Sequence, residues 1–118
     1  MLLVLALSLV ACEDPTTPRG KVEQAYRMVM TGDPQGECAL VFSGAAITKY
    51  CGVETLAAIR DNLKLYEDIQ ITKGKPVSPG ITSVMVYGFY PPRNQWARIY
   101  DIKVQCTHDQ GCGIIEIK

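Results

Sequence analysis

The stretch ITSVMVYGFY-PPRN-QWARIYDIKV, residues 81–104, decides the fold. Its first ten residues are rich in β-branched and aromatic side chains, which predicts a long strand. Pro91 and Pro92 cannot donate to a central ladder, so they predict a turn at residues 91–94. A second strand follows from residue 96. The stretch therefore predicts an antiparallel hairpin of two long strands.

Alternation along the second strand predicts which side chains share a face. We expect five residues on one face: Trp96, Arg98, Tyr100, Ile102 and Val104. We also expect four aromatic residues to line a common concave face: Tyr87, Phe89, Trp96 and Tyr100. This face is interpreted as core beneath helices, with a small apolar pocket as the alternative.

The sheet is predicted to extend on both sides of this hairpin. Ile69 and Ile71 alternate with polar neighbours, and that strand is expected to end at residues 73–76. Pro79-Gly80 is a turn signal. A further turn at 107–111 leads into a last strand at 112–117, so the second half of the chain is predicted to be an antiparallel meander.

Before residue 67 the apolar spacing is helical. Thr17 is a predicted N-cap for a helix that begins at Pro18 and ends at Gly32. Its apolar stripe comprises Val22, Ala25, Tyr26, Val29 and Met30. Asp33-Pro34 repeats this start for a short second helix, and residues 46–50 are predicted as a brief strand. A third helix is indicated by Val53, Leu56, Ile59, Leu63 and Tyr66.

Residues 18–118 are therefore predicted to form a single α+β domain, with N-terminal helices packed on a curved antiparallel sheet. The element order resembles the NTF2-like (cystatin-like α+β) family, as does Val29-Met30-Thr31-Gly32-Asp33, where a helix runs into a Gly-Asp turn. The resemblance implies a cone that can enclose a pocket. That fold hosts both enzymes and binding modules, and no catalytic residue of the family maps onto this chain.

The first eleven residues form an uncharged apolar run that leads into Cys12. The run is shorter than the roughly 20 residues that a helix needs to cross a bilayer, but it fits a secretory signal, although no Lys or Arg precedes it. Leu9-Val10-Ala11-Cys12 resembles the lipobox of bacterial lipoprotein precursors. The resemblance implies removal of residues 1–11 as a signal peptide and attachment of acyl chains, such as palmitate, through Cys12. Residues 12–17 would then be a tether.

This resemblance predicts a lipid-anchored protein of the bacterial cell envelope. Glu13 rather than Asp follows the cysteine, which is compatible with an outer-membrane protein facing the periplasm if the organism is Gram-negative. The alternative is a core strand or helix that ends in cysteine. The apolar run lacks a period of 2 or 3.6, which disfavours that alternative.

Assigning Cys12 to lipid leaves an even number of the five cysteines, which in an oxidising compartment predicts disulfides. Three connectivities are open, and short loops favour Cys38–Cys51 and Cys106–Cys112. The last segment also contains His108 and Asp109, so a soft metal is an alternative. Zinc sites favour ligands two residues apart, whereas five residues separate these cysteines, so we predict a disulfide and neither a metal nor a cofactor.

The charge of the chain limits its partners. Its 118 residues include 12 basic and 12 acidic side chains, and this balance argues against a nucleic-acid partner. His108 is the single histidine, and no serine has a Gly-x-Ser-x-Gly setting. Glu67 and Asp68 are adjacent and would point to opposite faces of a strand. Whether the domain is an enzyme is left open, and a non-enzymatic module is preferred.

The loop at residues 90–96 is stiff, basic and flanked by aromatic residues. Stiffness lowers the entropy lost on binding, so Arg93, Asn94 and Trp96 are candidate contacts for a protein partner. The sequence thus predicts an envelope lipoprotein that binds a protein or a small ligand. The alternatives are an inhibitor or immunity-type lipoprotein against a cell-wall-active enzyme and, third, a small NTF2-like enzyme.

Overall fold

The computed structural model describes residues 14–31 and 34–118. The predicted signal peptide, Cys12 and the predicted cap Asp33 lie outside these residues. The described chain forms four α-helices followed by five strands: α1 Pro18–Thr31, α2 Pro34–Val41, α3 Ala45–Tyr50, α4 Val53–Leu63, β1 Glu67–Ile71, β2 Lys75–Ser78, β3 Ile81–Tyr90, β4 Gln95–Thr107 and β5 Gly111–Ile117. A 3-10 turn, Pro91–Arg93, joins β3 to β4.

The start of α1 is held by a short turn at residues 14–17. Thr17 Oγ1 accepts a hydrogen bond from the Gly20 amide at 3.0 Å, which confirms the predicted N-cap. The Asp14 carbonyl accepts from the Thr17 amide at 3.1 Å. A Cβ at Gly20 would lie 1.9 Å from the Asp14 carbonyl oxygen, so only glycine permits this close approach. The turn is therefore packed against the helix.

Helix α1 lies against the sheet and against α2. Val22, Ala25 and Val29 of the predicted stripe are buried. Met28, outside that stripe, is only 1% exposed, because the helix is covered on more than one side. Lys21 is also buried, and its Nζ donates to the Leu40 carbonyl at 3.1 Å, which joins α1 to α2. Burial lowers the pKa of Lys21.

Residues 45–50 form helix α3, so the prediction of a strand at 46–50 is wrong. Ala46 and Tyr50 are one helical turn apart and both are buried. The Tyr50 hydroxyl accepts from the Ile117 amide at 2.9 Å and donates to the Ile117 carbonyl at 3.3 Å. Helical spacing brings both side chains to the core, and these tertiary contacts outweigh local β propensity.

The free edge of β5 is covered by the segment that precedes α3. The Ser43 amide donates to the Ile114 carbonyl at 2.9 Å, and Phe42 forms a parallel bridge with Ile114. The rings of Phe42 and Tyr50 stack with centroids 5.4 Å apart. Because exposed strand edges can pair with other chains, this cover protects β5 from such pairing.

The sheet is antiparallel with the order β1-β3-β4-β5, and β2 also pairs with β3. Strand β2 begins where the predicted first strand was expected to end. It contains Pro76, which an edge strand tolerates because one side of its backbone needs no partner. The predicted turn at Pro79-Gly80 is confirmed, with Gly80 at φ 76°, and so are the turns that follow β3 and β4.

A β-bulge at Ile99 divides β4 into two parts. Val86 pairs with Tyr100, whereas the next residue, Tyr87, pairs with Arg98, so Ile99 is an extra residue. One extra residue reverses which face every later side chain occupies. Tyr100, Ile102 and Val104 face the helices, while Trp96 and Arg98 lie on the opposite face. The prediction that all five share one face is therefore wrong.

The predicted α+β architecture, with helices packed on a curved antiparallel sheet, is confirmed. The most buried core residues come from α1, α2 and the sheet: Val22, Met28, Val41, Val84, Val104 and Ile114. The finer resemblance to the NTF2-like family stays a prediction. None of the helices within residues 14–31 and 34–118 is long and apolar enough to cross a bilayer.

Both predicted disulfides are present. Cys38 of α2 is bonded to Cys51, which directly follows α3, with Cα atoms 5.9 Å apart. Cys106 of β4 is bonded to Cys112 of β5, and the two residues are directly opposite in the ladder. One disulfide therefore closes the segment that covers β5, and the other closes the β4–β5 hairpin.

Candidate functional site

An apolar cavity lies between the helices and the concave face of the sheet. Its volume is about 40 Å³. The lining residues come from α1, α4 and the sheet, with one from the segment before α3: Val22, Ala25, Tyr26, Val29, Phe42, Ile59, Leu63, Ile71, Val86, Tyr100, Ile102, Ile114 and Ile117. No charged side chain is among these described residues. A cavity of this composition favours an apolar group over water.

Tyr100 is the aromatic residue of β4 that lines this cavity. Its hydroxyl accepts a hydrogen bond from Asn62 Nδ2 at 3.0 Å, so the polar end of the ring is satisfied by α4. The predicted concave aromatic face thus holds Tyr100 but not the other three aromatic residues. The bulge at Ile99 separates them.

The opposite face of the sheet carries the outer patch, which we define as Tyr87, Phe89, Trp96 and Arg98. Phe89 is directly opposite Trp96, and their rings meet edge to face with centroids 5.8 Å apart. Tyr87 is directly opposite Arg98. Trp96 is 48% exposed, which is unusual for so large an apolar side chain. Arg98 is also exposed, whereas Tyr87 and Phe89 are half-buried, so the outer patch is a partly exposed aromatic and basic surface.

The β3–β4 turn borders the outer patch. Arg93 ends the 3-10 turn and is exposed, and Asn94 has a left-handed backbone with φ 49°. The Asn94 amide donates to the Pro91 carbonyl at 3.0 Å, which closes the turn. The structure therefore brings the three predicted contact residues, Arg93, Asn94 and Trp96, to one end of the sheet.

Farther along the same face, Ser83 and Lys103 surround the carboxylate of Asp101. Ser83 Oγ donates to Asp101 Oδ1, and Lys103 Nζ donates to Oδ2 at 3.2 Å. The Ser83 hydrogen bond is the main cause that lowers the pKa of Asp101, and Lys103 adds to it although burial opposes both. This group joins β3 to β4 and borders the outer patch, since the charge of Arg98 also lowers the pKa of Asp101.

The remaining candidates near Cys106 do not assemble a metal site. The Cys106 and Cys112 sulfurs are bonded to each other, while His108 and Asp109 are exposed in the turn. Within the described ranges, no three His, Cys, Asp or Glu side chains converge in a way that would hold a metal ion. Glu67 and Asp68 are both exposed, and Asp68 has a positive φ of 52° in an irregular part of β1.

Tyr87, Phe89 and Trp96 are the patch residues that the sequence predicted on the concave face, and that prediction is wrong for all three. The signal that could have placed them is Gly88, an isolated glycine between two aromatic residues of a strand, which indicates a bulge or a close approach. A Cβ at Gly88 would lie 2.8 Å from Ile99 Cδ1. The bulged residue thus packs directly over this glycine.

We compared the chain with protein-family models, with curated proteins and with solved structures, and none of the three comparisons finds a match.

Proposed function

We propose that this protein is a lipid-anchored envelope protein whose disulfide-stabilised domain binds a protein partner through the outer patch. The observation that carries the proposal is Trp96, which stays 48% exposed beside Phe89 and Arg98 on the sheet face opposite the helices. Tryptophan, tyrosine and arginine are the residues most enriched among those that dominate binding energy. Three of the four residues of the outer patch belong to these types.

The geometry of the outer patch favours binding at low entropic cost. Phe89 and Trp96 already contact each other edge to face, and both lie on paired strands. The adjoining turn contains Pro91 and Pro92 and is closed by its own hydrogen bond. Groups that are ordered before binding lose less freedom when a partner arrives.

The location in the envelope is supported by the cysteines. Two disulfides persist in an oxidising compartment such as the periplasm and are rare in the cytosol. The lipobox resemblance accounts for the fifth cysteine, Cys12, as the anchor. Together these features support an outer-membrane protein that faces the periplasm, provided that the organism is Gram-negative.

A photo-crosslinking amino acid at Asn94 tests the proposed partner contact in intact envelopes. We expect it to capture a protein whose yield falls when Trp96→Ala or Arg98→Ala is added. With the purified partner, removal of a dominant contact of about 2 kcal/mol should weaken binding about 30-fold. Val77→Ala is the matched control, because it truncates an exposed apolar side chain, 51% accessible, on another strand. Equal loss in the control would contradict the proposal.

The anchor is tested separately by mass spectrometry of the protein purified from membranes. We expect the mature chain to begin at Cys12 and to carry the mass of a diacylglyceryl group. Cys12→Ala should release the protein from the membrane fraction, because two acyl chains are needed for stable attachment. An unmodified Cys12 in membrane-bound protein would contradict the proposed anchor.

The cavity supports a second proposal, in which the domain takes a small apolar ligand. Its lining is apolar throughout the residues described, and its volume of about 40 Å³ admits only a small group. Xenon binding, monitored by NMR at the methyl groups of Val29 and Ile114, would test whether the cavity can hold an apolar ligand. An absence of shifts at these methyl groups would exclude the ligand proposal and leave the outer patch untouched.

An inhibitor of a cell-wall-active enzyme would use the same turn and patch. The captured partner distinguishes this alternative from an accessory role. If the protein is an inhibitor, we expect the captured partner to be a wall-active enzyme. Cells that produce the wild-type protein should survive exposure to that enzyme, whereas cells that produce Trp96→Ala should not. Survival without any dependence on Trp96 would contradict this alternative.

A further inference from the structure

We propose that the anchor sets the domain end-on upon the membrane, with the β4–β5 turn against the lipid surface and the β3–β4 turn directed away from it. This inference rests on the lipidation of Cys12 proposed above. The exposed turn that follows Cys106 is then a second interaction surface, and it contacts a layer of lipid headgroups.

The distance between the proposed anchor and the folded domain is short. The described chain begins at Asp14, two residues after Cys12, and two residues span at most about 7 Å. The Asp14 carbonyl is held by the Thr17 amide and hydroxyl at 3.1 and 2.9 Å, and it lies over Gly20. The tether is therefore short, since the domain itself holds its second half.

The start of the folded domain lies beside the β4–β5 hairpin. The Thr16 carbonyl oxygen lies 3.1 Å from Sγ of Cys112, which is bonded to Cys106. The Cys106 amide in turn donates to the Gly80 carbonyl at 2.8 Å. The turn after Cys106, the Pro79-Gly80 turn and the start of the domain thus lie together at one end, which we call the anchor end.

The outer patch lies far from the anchor end. Strand β4 runs from Gln95 to Thr107, so the β3–β4 turn lies at its opposite end. About ten residues at 3.3 Å each place Trp96 roughly 30 Å from the anchor end, consistent with a longest dimension of 39 Å for the domain. A short tether at one end therefore keeps the outer patch clear of the headgroups and accessible to a partner.

The tether, rather than charge, imposes this orientation. The anchor end carries His108 and Asp109 in an exposed turn and begins at Asp14, so it is not a basic surface that anionic lipids would attract. We therefore expect the orientation to be the same in neutral and anionic vesicles and at low and high salt.

Depth-dependent quenching tests the orientation in the full lipidated chain. A fluorescent amino acid replaces either Gln110 or Asn94, both of which are exposed, and the protein is reconstituted into phosphatidylcholine vesicles whose headgroups carry nitroxide quenchers. We expect quenching at Gln110 to exceed that at Asn94 at least about threefold, because the positions differ by about 30 Å in depth. Equal quenching at the two positions, or stronger quenching at Asn94, would overturn the orientation.

A longer tether is the matched control. About ten Gly and Ser residues inserted between Glu13 and Asp14 add roughly 17 Å of flexible reach, so the ratio of quenching should fall towards one while the fold is unchanged. A ratio unaffected by the insertion would overturn the role of the tether. Mass spectrometry of the same sample separates the two proposals: an unlipidated Cys12 refutes the anchor, whereas equal quenching in lipidated protein refutes only the orientation.

Discussion

At the scale of single residues, Asp101 shows how a charge is held on the open face of the sheet. Its carboxylate accepts hydrogen bonds from Ser83 and Lys103, and the Ser83 hydroxyl is the main cause of its lowered pKa. A lowered pKa means that the folded protein favours the ionised carboxylate. Its contribution to stability is present above the ordinary pKa of 3.8 and is lost as the pH falls through the lower value in the folded protein.

Ser83→Ala should therefore destabilise the protein most at neutral pH. We expect a loss of about 1.5–3 kcal/mol at pH 7, because the serine donates to a charged group, and a smaller loss near pH 2, which lies below the ordinary pKa of 3.8. Urea unfolding at both pH values measures the difference. Ser78→Ala, at an exposed position on β2, is the control. The same loss at both pH values would contradict a role of Ser83 in stabilising the charge.

Gly88 shows at the same scale why the bulge needs a glycine. A Cβ at this position would lie 2.7 Å from Tyr66 Cβ and 2.8 Å from Ile99 Cδ1. The core face is thus closed over the glycine by the bulged residue and by the segment that follows α4.

Gly88→Ala should destabilise the protein by about 1–3 kcal/mol, because an added methyl group overpacks this contact. Ile99→Val removes Ile99 Cδ1, one of the atoms that crowd the added methyl group, so the double variant should be more stable than the sum of the single effects predicts. Thermal unfolding of the four proteins in a double-mutant cycle gives the coupling. Strictly additive effects would mean that Ile99 does not crowd Gly88.

At the scale of secondary-structure elements, the two disulfides stabilise different parts of the fold. Cys38–Cys51 closes the segment that covers the free edge of β5, and Cys38 itself is only 2% exposed. Cys106–Cys112 joins strands that are already paired. The first disulfide therefore holds a cover in place, whereas the second reinforces a hairpin.

Replacing each pair by alanine should reveal this difference. The chain-entropy estimate is about 3 kcal/mol for the 13-residue separation and about 2 kcal/mol for the 6-residue separation. We also expect faster amide hydrogen exchange at Ser43, which bonds β5, only when the Cys38–Cys51 pair is replaced. A larger loss of stability from the Cys106–Cys112 pair would contradict this assignment.

At the scale of the whole molecule, the two faces of the sheet have different surroundings. The concave face packs against α1 and α4 and leaves a cavity of about 40 Å³, while the outer face exposes aromatic and basic side chains. The bulge at Ile99 makes this division, because it sends Tyr100 to the cavity and Trp96 to the outer patch.

The cavity predicts opposite effects for two equal additions of a methyl group. Val29→Ile extends a lining residue into free space and should raise the free energy of unfolding by up to about 0.8 kcal/mol. Val84→Ile is the control, since Val84 is fully buried and does not line the cavity, and overpacking there should cost about 1–3 kcal/mol. Equal destabilisation by both substitutions, measured by urea unfolding, would contradict the presence of usable space.

Local chemistry in the sequence determined the division into N-terminal helices and a C-terminal antiparallel sheet, and much of the candidate site. Thr17 and Pro18 start α1 because capping needs only neighbouring residues. Pro91 and Pro92 place the turn beside Trp96 through their own backbone restrictions, so the position of the candidate contact residues at that end was predictable. Loop length, which is also a property of the chain alone, favours the disulfide pairing that the structure contains over the two other connectivities.

Only the tertiary structure decided which face each side chain of β4 occupies and that residues 45–50 are helical. A bulge is a relation between two strands, so the period of β4 alone cannot show that Ile99 is unpaired. Likewise, α3 is stabilised by the burial of Tyr50 and its bonds to Ile117, 67 residues away. Local propensity is worth a few tenths of a kcal/mol per residue, which contacts with distant parts of the chain readily outweigh.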